Sequence, residues 1–296
     1  MKKTLTVFTP TYNRAYCLHQ VYDSLVNQTC QDFMWLIIDD GSTDGTKQLV
    51  NSWIEENKIK ITYLYQENQG MHGAHNTAYK NIDTELNVCI DSDDFMPVNA
   101  VETILKHSKL LQPTDAGMLG LDVDRAGNII GKKFDRNLYR TSLSKYYQKE
   151  GGRGDKKIVC RTEISNKLSL YPLFPNERFV PLEILFQEIE QEYDLMAVNE
   201  IWCNVEYQPD GSSKNILKQY RRHPNGFAYA RLANIKYALS FKYRFKNCIH
   251  LVSSSLYAKK IKWLLQCSHP WHLLLAFPFG MMLYLYIYIK TFNSGR

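Results

Sequence analysis

From Gly211 to Arg296 the chain carries no aspartate or glutamate, while 14 of its 36 Lys and Arg residues fall there. The first 210 residues therefore hold 22 basic residues against 30 acidic ones. Such a split implies an anionic partner for the tail, either nucleic acid or a membrane surface. The seven cysteines (17, 30, 89, 160, 203, 248 and 267) occur singly, with no CxxC pair. That pattern argues against a disulfide framework or a zinc site and suits reduced thiols in the cytoplasm. No GxGxxG follows the first apolar run and no GxxxxGK[ST] occurs anywhere. The sequence basis for a dinucleotide dehydrogenase or a P-loop NTPase is therefore missing. The start does not read as a secretory leader, because Lys2 and Lys3 are followed by only a few apolar residues before Pro10. No internal repeat or low-complexity stretch is present.

One long apolar run does occur. Leu273 to Ile289 is 17 uncharged residues, interrupted by Pro278 and Gly280, at the short limit for a spanning helix. Basic residues flank it on both sides (Lys259, Lys260 and Lys262, then Lys290 and Arg296), so the positive-inside rule selects no orientation. A segment lying in, or dipping into, the cytoplasmic leaflet accounts for this pattern, with the upstream basic helices on anionic lipid. A helix pair packed on the protein itself is the alternative. The far C-terminal position favours membrane and leaves no role for nucleic acid.

At 296 residues and 45% hydrophobic, the chain can bury one large core, or a core plus an appendage. Its first part alternates apolar strands with helical spacing. Strands are expected at Leu5–Phe8, Phe33–Ile38, Ile59–Tyr65, a run ending at Ile90, and Ala116–Leu121. Helices are expected around Leu18–Leu25, Thr46–Glu56, Gly73–Asn81 and after Asn99, which can cap the last of these. This predicts an α/β fold with a mostly parallel sheet covered on both faces. From Asp122 the pattern is irregular, with Gly151–Asp155 reading as a mobile loop. A helix near Leu182–Tyr193 and a strand near Ala197–Val205 follow. After the Pro209-Asp210-Gly211 turn signal, a basic and apolar helical tail begins. Residues 1–121, 122–211 and 212–296 are thus three expected units.

Ligands of open α/β sheets sit at the carboxyl ends of the strands. Four polar clusters fall there: Thr9 to Arg14, Asp39-Asp40-Gly41-Ser42, Asn68-Gln69-Gly70, and Asp91-Ser92-Asp93-Asp94. Massed carboxylates stay ionised together only with a cation, and a hard divalent ion takes one or two of them plus water and phosphate oxygens. Taken singly, DSDD could instead cap the next helix, and Asp40 could close an Asx turn. His72 and His75 flank Gly73 in what reads as a surface loop, without the clustering a zinc site needs. Arg221 and Arg222 suit either a diphosphate or a membrane surface.

Thr9-Pro10-Thr11-Tyr12-Asn13-Arg14, then Ile38-Asp39-Asp40-Gly41-Ser42-Thr43-Asp44-Gly45, Asn76 and Ile90-Asp91-Ser92-Asp93-Asp94 together resemble the successive blocks of the family 2 glycosyltransferases. The resemblance is strong over about residues 4–121. It continues more loosely through Phe174 to Pro181 and Asn199-Glu200 to the Glu206–Ser212 block, similar to a bacterial subset tied to surface polysaccharides. It implies a GT-A fold, a nucleotide-sugar donor and inversion of the anomeric centre. It also implies a nucleotide site from Thr9, Thr11, Tyr12, Asn13, Arg14, Asp40, Asn76, Asp91 and Ser92. Tyr12 would stack on the base and Asp40 would accept a hydrogen bond from it. Asp93, with Asp91, would hold Mn2+ or Mg2+.

Departure of a nucleoside diphosphate builds charge that a divalent cation stabilises, and inversion needs a carboxylate base on the opposite face. Family members often place an acid directly after the Phe-Val-Pro segment. Here Leu182 stands there, so the base candidates are Glu183, one residue later, then Glu177 and Asp94. The implied activity is sugar transfer to a glycan or lipid-linked acceptor at the cytoplasmic face of the membrane. The competing readings are a metal-dependent phosphatase or nuclease using the same aspartates, and a non-catalytic nucleotide- or glycan-binding protein with a membrane tail.

Overall fold

The computed structural model describes residues 3–206 and 215–292. The Pro209-Asp210-Gly211 turn and most of the Glu206–Ser212 block lie outside the described residues. Four parallel strands form the first half of the sheet: β1 (Leu5–Thr11), β2 (Phe33–Asp39), β3 (Ile61–Tyr65) and β4 (Leu86–Cys89). They are linked by α1 (His19–Val26), α2 (Thr46–Glu56) and α3 (Met71–Asn81), and α4 (Ala100–Ser108) leads to β5 (Asp115–Val123). The second half adds β6 (Tyr139–Thr141), α5 (Leu143–Gln148), β7 (Lys156–Arg161), α6 (Thr162–Ser165), α7 (Glu183–Ile189) and β8 (Asp194–Asn204). One sheet results, in the order β3-β2-β1-β4-β7-β5-β8-β6.

Both faces of the sheet are covered, which is why a central strand such as β2 reads as a continuous apolar run. In β1, Leu5 and Val7 join the core beneath α1, α2 and α4, while Phe8 enters a second core with Ala74 and Ala78 of α3. The expected α/β architecture is present. Two strands went unseen in the sequence. β7 runs antiparallel between β4 and β5, and β6 pairs antiparallel with β8. Lys156 and Lys157 open β7 and hide it from any hydrophobic pattern, yet both are largely buried. Lys156 Nζ donates to the carbonyls of Ile130, Arg153 and Asp155 at 3.1–3.3 Å.

Gly151–Asp155 is a loop, as expected, and it is anchored to its neighbours. Lys132 N donates to Arg153 O at 3.2 Å and Tyr147 OH to Gly154 O at 2.7 Å, so the segment is tied down. Asn99 stands at the N-cap of α4, but its side chain makes no cap hydrogen bond. Gln28 Oε1 takes the Val101 N–H instead, at 3.0 Å.

The tail is helical, as expected: α8 (Ile216–Arg222), α9 (Pro224–Lys236), α10 (Phe241–Ala258), α11 (Lys262–Leu265) and α12 (Pro270–Phe292). Helices α9 to α12 share their own small core, which includes Ile235, Leu251, Trp263 and Ala276. They join the main body where Ala230 packs on Val180, Ile184 and Leu185.

Candidate active site

The carboxyl ends of β3, β2, β1 and β4 bring the four polar clusters to one edge, and their side chains then divide into scaffold and cleft. Thr9 belongs to the scaffold. Its hydroxyl accepts from Trp35 Nε1 at 2.9 Å inside the core, so it is withdrawn from the nucleotide site expected of it. The reason is that β1 continues to Thr11, placing Thr9 within the strand. Asn13, in a left-handed conformation (φ 53°), laces the first two loops together. Its N–H donates to Ser42 Oγ and its Oδ1 accepts from Thr43 N, both at 2.8 Å. Arg14 lies over the Tyr16 ring at 5.7 Å. Tyr12 is 49% exposed at this edge, and the Thr11 hydroxyl is buried without a hydrogen-bond partner.

Asp39 and Asp40 are both buried. Asp39 accepts from Ser42 N at 2.7 Å and from Tyr63 OH at 2.6 Å. Asp40 accepts from Gln66 Nε2 (2.6 Å), Gln69 N (2.9 Å) and Gly70 N (2.7 Å). A carboxylate offers about four acceptor directions, so roughly one remains. Burial raises the Asp40 pKa, against the pull of these donors and of Arg178. Gly70 (φ +83°) lets the Arg178 backbone close over this loop, because a Cβ there would lie 2.1 Å from Arg178 O.

The turn after β4 contains the remaining acids. Asp94 N donates to Asp91 O at 3.0 Å. The Asp94 carboxylate is buried and accepts from Glu206 N at 3.1 Å and Cys203 Sγ at 3.4 Å. It therefore ties the turn to the end of β8, which removes it from the base candidates. Burial pushes its carboxyl up to about 7, with Asp91 and Asp93 adding to the rise. Lys157, unrecognised in the sequence, reaches this cluster from β7, with Nζ 3.9 Å from Asp94 Oδ2. At that distance it is a shared counter-charge and not a contact pair. Burial alone would lower its pKa. Cys203, Asp122, Asp94 and Asp91 outweigh burial and hold it well above the ordinary lysine value.

Asp91 and Asp93 supply hard oxygen donors two residues apart at the sheet edge. Among the described residues no three His, Cys, Asp or Glu converge as a metal cage. This donor set fits an ion that takes one or two carboxylates and completes its shell with phosphate oxygens and water.

The base candidates separate in the same way. Glu177 is buried, and it caps α9. It accepts from Asn225 N at 3.0 Å, from Asn225 Nδ2, and from Gly226 N at 2.9 Å. Its carboxylate is consumed by the orphan N–H groups of that helix. Glu183 is exposed at the first position of α7. It lines a cavity of about 410 Å3 together with Asp91, His75, Lys157, Tyr147 and Tyr171.

Asn76, expected at the nucleotide, proves to be a clamp. Its Nδ2 donates to Tyr171 O at 2.9 Å and its Oδ1 accepts from Tyr171 N at 2.8 Å. Tyr171 OH in turn donates to Leu182 O at 2.8 Å, next to Glu183. Asn76 is thus linked through Tyr171 to the residue before Glu183, a connection that no local motif could show.

His72 and His75 are not surface residues. α3 begins at Met71, earlier than its apolar spacing suggests, and buries both rings. Burial lowers each pKa to about 4. Arg222 lines a second cavity, of about 360 Å3, with Arg178, Lys218 and His223. Arg221 turns the other way, donating to Thr291 Oγ1 at 3.2 Å and lying over the Tyr288 ring.

Residues 6–159 match the family model described as glycosyl transferase family 2. Glycosyltransferase GlyA of Streptococcus pneumoniae is 33% identical over 102 residues, which is 34% of this chain and 14% of that protein. Chondroitin synthase of Escherichia coli is 30% identical over 136 residues, covering 46% of this chain and 20% of that one. The matches thus take in a fifth or less of these two relatives. The fold resembles that of S. aureus TarS in complex with UDP-GlcNAc (TM-score 0.61, 14% identity, 99% of this chain and 92% of that one). It also resembles the mannosyltransferase PcManGT of Pyrobaculum calidifontis in complex with GDP-Man and Mn2+ (TM-score 0.56, 16% identity, 100% and 89%).

Proposed function

Because the chain belongs to glycosyl transferase family 2, we propose that it transfers a sugar, with inversion, from a UDP-linked donor to a growing lipid-linked cell-surface polysaccharide. The transfer takes place at the cytoplasmic face of the membrane. The observation that carries this reading is the single cavity shared by Asp91, from the donor edge, and Glu183, from the later part of the chain. Bound UDP-GlcNAc and GDP-Man in the structural neighbours support a nucleotide-sugar donor. The likeness to chondroitin synthase supports a polysaccharide product. In this reading residues 1–121 hold the donor, 122–211 the acceptor, and 212–296 the membrane.

Tyr12 offers a flat surface to the base, and the remaining acceptor direction of Asp40 meets its edge. Asp91 and Asp93 would hold Mn2+ or Mg2+, which when bound supplies Lewis-acid stabilisation of the departing diphosphate. Arg222, with Arg178 and Lys218, adds cationic neutralisation from the second cavity. Glu183 takes the proton from the acceptor hydroxyl as that oxygen bonds to the anomeric carbon. The bond from that carbon to the diphosphate oxygen breaks on the opposite face. Lys157 offsets the charge of Asp94 and Asp122, keeping the acidic turn in shape.

The test measures nucleoside diphosphate release from UDP-sugars with Mn2+, alongside thermal shifts with UDP. Asp93→Ala should lose metal-dependent turnover. Glu183→Gln should keep stabilisation by UDP and lose transfer by about 10²–10⁴-fold. A melting temperature indifferent to every nucleotide, with and without Mn2+, refutes the reading.

A further inference from the structure

We propose that α12 is an in-plane membrane anchor that docks the chain on an anionic bilayer without crossing it. The inference deepens the membrane association above, and its test reads binding and topology, not transfer. At 23 residues α12 is long and apolar enough to cross a membrane, so length alone does not decide the matter. Its attachment does. Ala276, Gly280 and Ile287 recur on one side of the helix and are buried against the helical layer. Gly280 permits the close approach, since a Cβ there would lie 2.4 Å from Val252 Cβ of α10. Tyr257 OH of α10 donates to Tyr284 O at 2.9 Å, and Arg221 holds Thr291 near the far end.

α12 is thus fixed to α10 and α8 along most of its length. Were α12 to stand across the bilayer, α10 would go with it. α10 carries Lys242, Arg244 and Lys246 in its first two turns. Charges at that density are expelled from hydrocarbon. Arg244 is also committed to the layer, donating to the carbonyls of Ile235 (3.4 Å) and Ala238 (2.9 Å).

The side of α12 facing away from α10 is apolar. Trp271, Leu274, Met282, Leu285 and Ile289 recur there at helical spacing, each more than half exposed. Ile261 and Leu265, also more than half exposed, stand beside Lys259, Lys260 and Lys262 just before α12. A helix lying in the plane buries such a face about 5–10 Å into the boundary between headgroups and acyl chains. The absence of any acid from Gly211 to Arg296, against 14 Lys and Arg, makes anionic lipid the complementary surface.

The full chain should co-sediment with vesicles of phosphatidylcholine plus phosphatidylglycerol, and far less with phosphatidylcholine alone. Binding should blue-shift the tryptophan emission, because Trp271 is 76% exposed while Trp35, Trp53, Trp202 and Trp263 are buried. Leu274→Glu with Leu285→Glu should lower vesicle affinity by about a hundredfold. The melting temperature and donor hydrolysis in solution should stay unchanged. When Ser268→Cys and Lys290→Cys variants are added to sealed vesicles, an impermeant maleimide should label both above the native background. Protection of either cysteine until the vesicles are lysed would mean that α12 spans, and would overturn the proposal. So would vesicle binding that ignores lipid charge or the two glutamates. A glutamate pair that only converts a dimer to a monomer would assign this face to a second copy of the chain.

Discussion

Replacing Tyr171 by Phe removes one oxygen from the link that joins Asn76 to Glu183. The hydroxyl donates to Leu182 O at 2.8 Å, and Tyr171 is almost wholly buried. Loss of one such hydrogen bond costs about 1 kcal/mol of stability. The Asn76 clamp on the Tyr171 backbone stays intact, so the chain should fold with a modestly lower melting temperature. The larger effect falls on catalysis. Leu182 immediately precedes Glu183, and a base displaced by about 1 Å can lose on the order of 10²-fold in rate. Donor KM should hold, because Asp40, Asp91 and Asp93 stand on other loops. Steady-state kinetics on Tyr171→Phe, Glu183→Gln and the double variant form the assay. If Tyr171 acts through Glu183, the double variant should be no slower than Glu183→Gln alone. Multiplicative losses in the double variant, or an unchanged kcat in Tyr171→Phe, would refute the linkage.

Lys157→Met should destabilise the chain by about 3 kcal/mol, since Asp94 would be left buried without its counter-charge and Asp122 with Lys156 alone; denaturant melts measure this. Glu177→Gln should cost about 1–2 kcal/mol by spoiling the α9 cap, while kcat per folded molecule stays at the wild-type value, as a scaffold role requires. His72 yields a pH effect of definite sign. Its pKa is lowered from 6.5 to about 4, so the unfolded chain binds a proton in that window and the folded chain does not. The contribution of His72 to stability should therefore fall, by at most about 3 kcal/mol, between pH 6.5 and 4, and because His75 is shifted the same way, His72→Asn should make the slope measured by urea titration shallower without abolishing it.

Hydrophobic patterning reveals β1, β2, β4 and β5 because they bury apolar residues on both faces, and the edge strand β3 through its alternation, local properties that a linear reading can detect. The carboxyl-edge rule likewise assigns Asp40, after β2, and Asp91 and Asp93, after β4, to the same sheet edge without any coordinates. β7 is a different case. Its two lysines contradict the pattern of a central strand, and only the partners that the fold brings around them make their burial tolerable. Thr9, Asn76 and Glu177 carry side chains suited to ligand or catalysis, yet each is spent on a hydrogen bond to a residue distant in the chain.

Sequence alone determined the strand–helix alternation, the acidic edge and the acid-free tail, all of which follow from residue types at short spacing. Tertiary structure alone decided which polar groups remain open to a ligand, that Glu183 shares a cavity with Asp91, and that α12 lies along α10. Each of these depends on contacts between segments tens of residues apart, where packing and hydrogen-bond competition, not local composition, set the outcome.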